Sequence, residues 1–347
     1  MSTRGVRRIA GIGVLLLVLA LALIASVAIG NRFLAPGFVW HTLTDHPSLV
    51  WDSIVGNPLP RGYTEAEGIV IGHRLPRTLL GLVVGLAIGA AGALTQGHTR
   101  NPLADPGILG VNAGAACAVV LGVFTLGIST PLAFMGFGML GAVIAAVVVF
   151  GLASLSGASP LTLVLAGTGV SALLMAISSG IVLSDGASLD TWRFWNVGST
   201  AGRSFDVFRA SVPFIVFGLV IALASGFFLN LLSLGDDMSK SLGGRVVLIR
   251  VAGVAAITLL IGAATAACGP IVFLGLVVPH IARAFTGPDY RWVIPYSALL
   301  GAILMLVADV IGRVIARPED VQVAVVLAMI GAPFLIAMVR RQKLATV

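Results

Sequence analysis

Residues 73–115 read HRLPRTLLGLVVGLAIGAAGALTQGHTRNPLADPGILGVNAGA, joining a basic start, an apolar run and a proline-rich turn. After Arg74 and Arg77 the chain carries no formal charge until Arg100. A run of about 20 apolar residues is enough to cross a bilayer core. Gly81, Gly85 and Gly89 recur at every fourth position, so they share one helix face and let a neighbouring helix come close. Asn101, Pro102, Asp105, Pro106 and Gly107 then stop the helix, because each proline lacks an N–H and restricts the residue before it. The stretch predicts a membrane crossing made to pack against another, followed by a shaped turn at the membrane surface.

The remaining sequence has the same character. Of its 347 residues, 58% are hydrophobic and only 10% charged, against roughly 25% charged in soluble domains. An all-α, polytopic membrane protein is expected, one integral unit with room for about ten crossings. Apolar runs place them near residues 9–30, 70–96, 108–127, 131–154, 160–183, 210–231, 247–268, 271–284, 292–314 and 321–340. The first run exceeds the ~7–15 apolar residues of a cleaved signal core and reads as retained. An even number of crossings puts both termini on one side. Arg4, Arg7 and Arg8 at one end and Arg340, Arg341 and Lys343 at the other assign that side to the cytoplasm. Arg32, Arg61, Arg74, Arg77, Arg193, Arg203, Arg209, Arg313 and Arg317 then lie at the outer face, an excess that suits an acidic partner.

Several functions are disfavoured. The net charge of +7 is scattered over loop ends rather than gathered in a stripe, so nucleic acid is not a partner. Cys117 and Cys268 fall inside apolar spans and act as small apolar residues. His41, His46, His73, His98 and His280 show no paired ligand spacing, which argues against a metal held by this chain. His98 and His280 are instead expected to satisfy backbone groups at helix ends. No nucleophile, base and orienting acid can be assembled, and no GxxxxGK[ST] phosphate cradle occurs, so the chain reads as non-enzymatic and cofactor-free. Any ATP is handled by another subunit. The spans hold almost no ionisable residue away from their ends, which weighs against an ion-coupled carrier. That carrier is the second reading, and a passive channel or scaffold the third.

Three polar regions interrupt the spans. Residues 31–72 carry Trp40, Trp51 and Tyr63 and read as an irregular outer loop with interfacial aromatics. Residues 183–209, with Trp192, Phe194 and Trp195, read as a short helix along the membrane surface. The inner segment 233–250, SLGDDMSKSLGGRVVLIR, has Ser233 and Asp236 at capping-box spacing, Met238 and Leu242 on one helix side, and Gly243 and Gly244 for a sharp reversal. This short helix with an apolar knob suits a groove in a cytoplasmic protein. In the last quarter Pro270 and Pro279 shorten one span, while Asp309 and Arg313, four apart, can pair near the outer end of another. Arg313 is expected to keep spare donors for an outside partner. Thr95, Gln96, Asn112, Thr168, Ser171 and Ser178 are candidates for a mildly polar pathway lining.

Together RLPRTLL at 74–80, NPLADPGILGVNAG at 101–114, LVLAG at 163–167, the SLGDD…LGG loop, GPIVFLGLVVPHIAR at 269–283, ADVIGR at 308–313 and IGAPF at 330–334 resemble the FecCD-type permeases. Those are membrane subunits of importers for iron siderophores, haem and cobalamin. The resemblance implies a ten-span subunit in a bacterial inner membrane, paired with a second permease, either the same chain or a homologue. It implies two cytoplasmic ATPase subunits that use ATP and magnesium, and an extracytoplasmic binding protein. Arg74, Arg77 and Arg313 match positions that engage acidic residues of the binding protein. The loop with Ser233, Asp236, Met238, Leu242, Gly243 and Gly244 matches the ATPase-docking element. Asn101, Pro160 and Leu161 match segments that narrow the inner end of the pathway, beside Gln96 and Asn112. Val272 stands where such permeases commonly have glycine, and PEDVQV at 318–323 lacks a usual proline, which bears on the docking face. Ferric siderophore is the first expectation for cargo, ahead of cobalamin and haem.

Overall fold

Prolines and small polar side chains set where the helices begin. Pro160 opens one helix behind Ser159, whose hydroxyl accepts from the Thr162 amide at 3.1 Å. Asp185 and Asp289 do the same for later helices, accepting from the amides of Ser188 at 2.7 Å and Arg291 at 3.1 Å. The computed structural model describes residues 3–57, 64–155, 157, 159–241 and 243–344. Among the described residues there are helices and no strands: α1 (Thr3–Ala28), α2 (Pro36–Asp45), α3 (Pro47–Val55), α4 (Glu65–Ile69), α5 (Leu75–Thr99), α6 (Val111–Leu126), α7 (Pro131–Leu155), α8 (Pro160–Ser184), α9 (Gly186–Trp195), α10 (Phe205–Ser233), α11 (Asp236–Ser241), α12 (Val246–Cys268), α13 (Leu274–Thr286), α14 (Tyr290–Ile315) and α15 (Val323–Leu344).

Seven helical stretches are long and apolar enough to cross a membrane, with α4 continuing into α5, and α6, α13 and α15 are shorter apolar helices. They complete the ten expected crossings, displaced by a few residues. Among the largest shifts are the starts of α1, at Thr3, and α10, at Phe205. The outer segment differs more: residues 36–55 form α2 and α3 instead of an irregular loop, with Trp40 and Trp51 exposed. Tyr63 and Arg61 lie outside the described residues. The expected surface helix is α9.

Close approach of backbones organises the core. α5 lies at its centre against α14, α10, α12 and α13. A Cβ on Gly89 would sit 2.0 Å from the Ser297 carbonyl oxygen, and one on Gly92 would sit 2.0 Å from that of Gly275. Gly114 of α6 and Gly141 of α7 meet in the same way. Without a hydrophobic force between helices in lipid, such contact is what holds them together.

The turn after α5 is not confined to the surface. α6 has 16 residues, about 24 Å at 1.5 Å each and short of the ~30 Å core. Residues 101–110 fold back into the bundle to make up the depth. The Ile108 carbonyl rests on Gly167, where a Cβ would be 2.0 Å away, two turns into α8. This corrects the expectation of a surface turn, and Gly110, at φ +76, redirects the chain into α6.

Side-chain ties identify the two faces. Where α1 begins, Arg8 donates to the Thr286 carbonyl and lies 3.7 Å from Asp289, and Tyr296 donates to the Arg8 carbonyl at 2.6 Å. Asn230 joins them by donating to Asp289 at 2.7 Å. This terminal face carries the ends of α5, α10 and α13 and the starts of α12 and α14. The opposite face carries α2, α3, α9 and the segment 316–322.

Candidate functional site

At the opposite face an arginine cluster is built around one buried carboxylate. Asp309 of α14 accepts from Arg77 Nη2 at 2.8 Å, from Thr200 Oγ1 at 2.9 Å and from Arg313 Nε at 3.1 Å, with a shorter contact from Arg313 Nη2. Arg77 Nη1 also reaches Asp320 Oδ2 at 2.5 Å. Arg313 donates further to the carbonyls of Ser26 at 2.6 Å and Ile29 at 3.0 Å, while Arg74 donates to those of Val27 at 3.1 Å and Ala28 at 2.7 Å. The last carbonyls of a helix have no partner within it and carry partial negative charge. Arg74 and Arg313 therefore cap the end of α1.

The pairing of Asp309 with Arg313 follows the sequence spacing. The expected outward reach does not. Arg74 is 5% and Arg313 2% exposed, and the Arg77 side chain is 12% exposed. Arg313 has no donor facing outward because Asp309, Ser26 and Ile29 take them. Thr200, Asp320 and the α1 carbonyls were not read from the sequence. Thr200 lies 109 positions from Asp309, and no local periodicity joins residues that far apart.

At the terminal face α11 stands on a tight turn. Ser233 ends α10 and donates to the Asn230 carbonyl at 2.6 Å, so it does not start the capping box expected of it. Gly235 precedes α11 instead, its carbonyl accepting from Ser239 at 2.9 Å. Met238 is exposed as a knob. Leu242 and the side chain of Asp236 lie outside the described residues. Gly243 takes φ +81, and a Cβ on Gly244 would fall 2.6 Å from Ser239 Oγ, so the two glycines serve different needs.

Of the proposed lining residues, two brace helices and four bond within their own helix. Gln96 is buried, donates to the Leu276 carbonyl at 3.2 Å and accepts from Arg283, tying α5 to α13. Asn112 Oδ1 accepts from Thr265 at 2.8 Å, tying α6 to α12. Thr95, Thr168, Ser171 and Ser178 donate to carbonyls four residues back at 2.7–2.8 Å. Asn101 and Leu161 are exposed at the terminal face and Pro160 is half-buried beside Leu161. His98 departs from expectation: both ring nitrogens are buried without a partner, and a Cβ on Gly253 would fall 1.7 Å from its Nε2. His280 instead packs edge-on to Phe334 at 5.9 Å.

One surface carboxylate has a displaced pKa: Asp289 is held at about 2, chiefly by hydrogen bonding from Arg291, with Asn230 assisting. Among the described residues, no group of three or more His, Cys, Asp and Glu side chains could hold a metal ion.

A ten-crossing bundle with a polar network at one face and a protruding short helix at the other is a membrane-permease architecture. Residues 16–341 match the FecCD transport family, and the chain belongs to that family of ABC-importer permeases. It is 43% identical over 277 residues to the ferric enterobactin transport system permease protein FepD of Escherichia coli (strain K12), covering 79% of this chain and 82% of the relative. It is 40% identical to the Fe(3+)-citrate import system permease protein YfmD of Bacillus subtilis (strain 168), covering 77% and 80%. Similarity to the hemin transport system permease protein HmuU of Yersinia pestis, at 32% identity, spans 96% of both chains. A solved metal-chelate type ABC transporter in an inward-facing conformation superposes with a TM-score of 0.79 at 26% identity, covering 97% of this chain and 99% of that one. The chain is thus a multi-pass membrane protein of a bacterial importer, and its family implies ATPase and binding-protein partners.

Proposed function

We propose that this permease carries ferric siderophores across the bacterial cytoplasmic membrane, with both termini in the cytoplasm. Two separate ATPase subunits bind and hydrolyse ATP with magnesium, and a second permease, the same chain or a homologue, completes the pathway. The observation that carries this reading is kinship, over 77–79% of the chain, to iron-chelate permeases, joined to a protruding α11 on a glycine-locked turn. ATP-driven closure of the ATPases acts on Met238 and its turn. Asn101, Pro160 and Leu161 narrow the inner end of the pathway, which Gln96 and Asn112 shape through the helices they brace.

Docking of the binding protein begins at exposed arginines. Among the described residues, Arg32 and Arg193 pair with the exposed carboxylates Glu65 at 2.6 Å and Asp190 at 3.9 Å, which a partner's acids can replace. Arg74, Arg77 and Arg313 join that contact by exchanging Asp320 or the α1 carbonyls for partner carboxylates.

The test is uptake of a labelled ferric siderophore by proteoliposomes holding permease, ATPase and loaded binding protein. Uptake should require ATP and persist when ion gradients are collapsed. Uphill accumulation by vesicles with this polypeptide alone would refute the reading and favour an ion-coupled carrier.

A further inference from the structure

An apolar groove of about 630 Å³ runs between the last turns of α10 and the first turns of α12. Phe227, Phe228 and Leu248 on its walls are exposed. Ser225 is also on the wall, but its hydroxyl donates to the Ile221 carbonyl at 2.6 Å and leaves the groove apolar. From Val220 to Leu231 the α10 wall rises about 17 Å at 1.5 Å per residue, roughly half of a ~30 Å bilayer core. The groove is therefore one leaflet deep.

At the membrane surface it ends on Gly243, Gly244 and Arg245, the turn between α11 and α12. Arg245 supplies the charge of the wall, and no acid lines it. The Arg245 side chain is exposed and, among the described residues, pairs with no carboxylate. It stands at the N-cap of α12 without a side-chain cap hydrogen bond, so the partial positive charge of that helix start adds to its own.

A guanidinium forks onto phosphate oxygens, and a hydrocarbon chain fills an apolar groove. A ligand with both parts and one leaflet long is a phospholipid. A helix of a second permease would follow the whole span, not half of it. An ammonium headgroup finds no carboxylate on this wall, whereas a headgroup with net negative charge is matched. Resting on the import reading, which puts α11 in the cytoplasm, we propose that the groove binds an anionic phospholipid of the inner leaflet. One acyl chain lies between α10 and α12, and the phosphate sits on Arg245. Because Gly243 and Gly244 border the same groove, the bound lipid braces the turn through which α11 moves these two helices.

The experiment uses the permease with its ATPases, delipidated in detergent and titrated with phosphatidylglycerol or phosphatidylethanolamine, with bound lipid read by native mass spectrometry. Phosphatidylglycerol should bind about fivefold more tightly, the effect of one basic residue at the inner surface. Arg245→Gln should abolish that preference and Arg245→Lys should keep most of it. Ala224→Phe, which fills the groove from an exposed wall position, should weaken both lipids; if it lowers the unfolding midpoint, Arg245→Gln decides. Equal affinities in the wild type, or a preference that survives Arg245→Gln, overturns the proposal. So does displacement by glycerol 3-phosphate, which would make this a site for free phosphate, and so does a disulfide between two Ala224→Cys permeases, which would mean that a second copy covers the groove. In proteoliposomes, uptake per ATP hydrolysed should fall when phosphatidylethanolamine replaces phosphatidylglycerol, and Arg245→Gln should remove that dependence; an equal fall in both proteins overturns the bracing. Wild-type uptake that needs no ATP sinks the import reading and leaves the lipid titration standing, whereas ATP-driven uptake with an indifferent groove sinks only the lipid site.

Discussion

Asp309 is the carboxylate on which two buried guanidinium groups depend. Asp309→Asn leaves Arg77 and Arg313 undercompensated and should cost about 3–5 kcal/mol of stability, the usual effect of breaking a buried pair. Asp320→Asn, at a partly exposed carboxylate, should cost clearly less. Equal losses in detergent unfolding would show that Asp309 is not the hub. Gly253→Ala drives a methyl into His98 and should destabilise by about 1–3 kcal/mol. The double variant with His98→Ala should recover most of that, and simple additivity would disprove the contact. At this scale the sequence revealed Asp309 with Arg313, because four residues make one helical turn. It concealed Thr200 and Asp320, which only folding brings near.

Helix contacts turn on which glycines meet backbone. Gly85→Ala puts a Cβ 2.6 Å from Ala302 Cα, whereas Gly136 of α7 has open space around it. Gly85→Ala should therefore impair folding or lower the melting point sharply, and Gly136→Ala should not. A similar effect from both, measured as monodisperse yield, would remove close approach as the cause. In α11, replacing Gly243 and Gly244 by Val should uncouple ATP hydrolysis from uptake, since one needs a left-handed backbone and the other sits on Ser239. Normal coupling in that variant would exclude this turn from transmission. The fourfold glycine spacing was legible because a helix has a fixed period. The re-entrant turn at 101–110 was not, because its depth depends on where α8 leaves room for Ile108.

Across the whole molecule, exposure separates surfaces in use from surfaces inside. The apolar window of α8 is only 17% buried, against 78% for the continuous α4–α5 helix, so α8 lies against lipid or the second permease. Native mass spectrometry of the assembled complex should find two permeases with two ATPases; a single permease in an active complex would exclude the pairing. Arg193→Glu should weaken binding-protein docking with stability intact, whereas Arg74→Glu should lose stability as well, because Arg74 caps α1. Composition and period alone determined the all-helical membrane class, the ten crossings and the glycine faces, since lipid forces every backbone group to bond within its own helix. Only the tertiary structure decided which arginines are hidden and which polar groups brace helices. Burial and partner identity arise from residues far apart in the chain, and no local pattern encodes them.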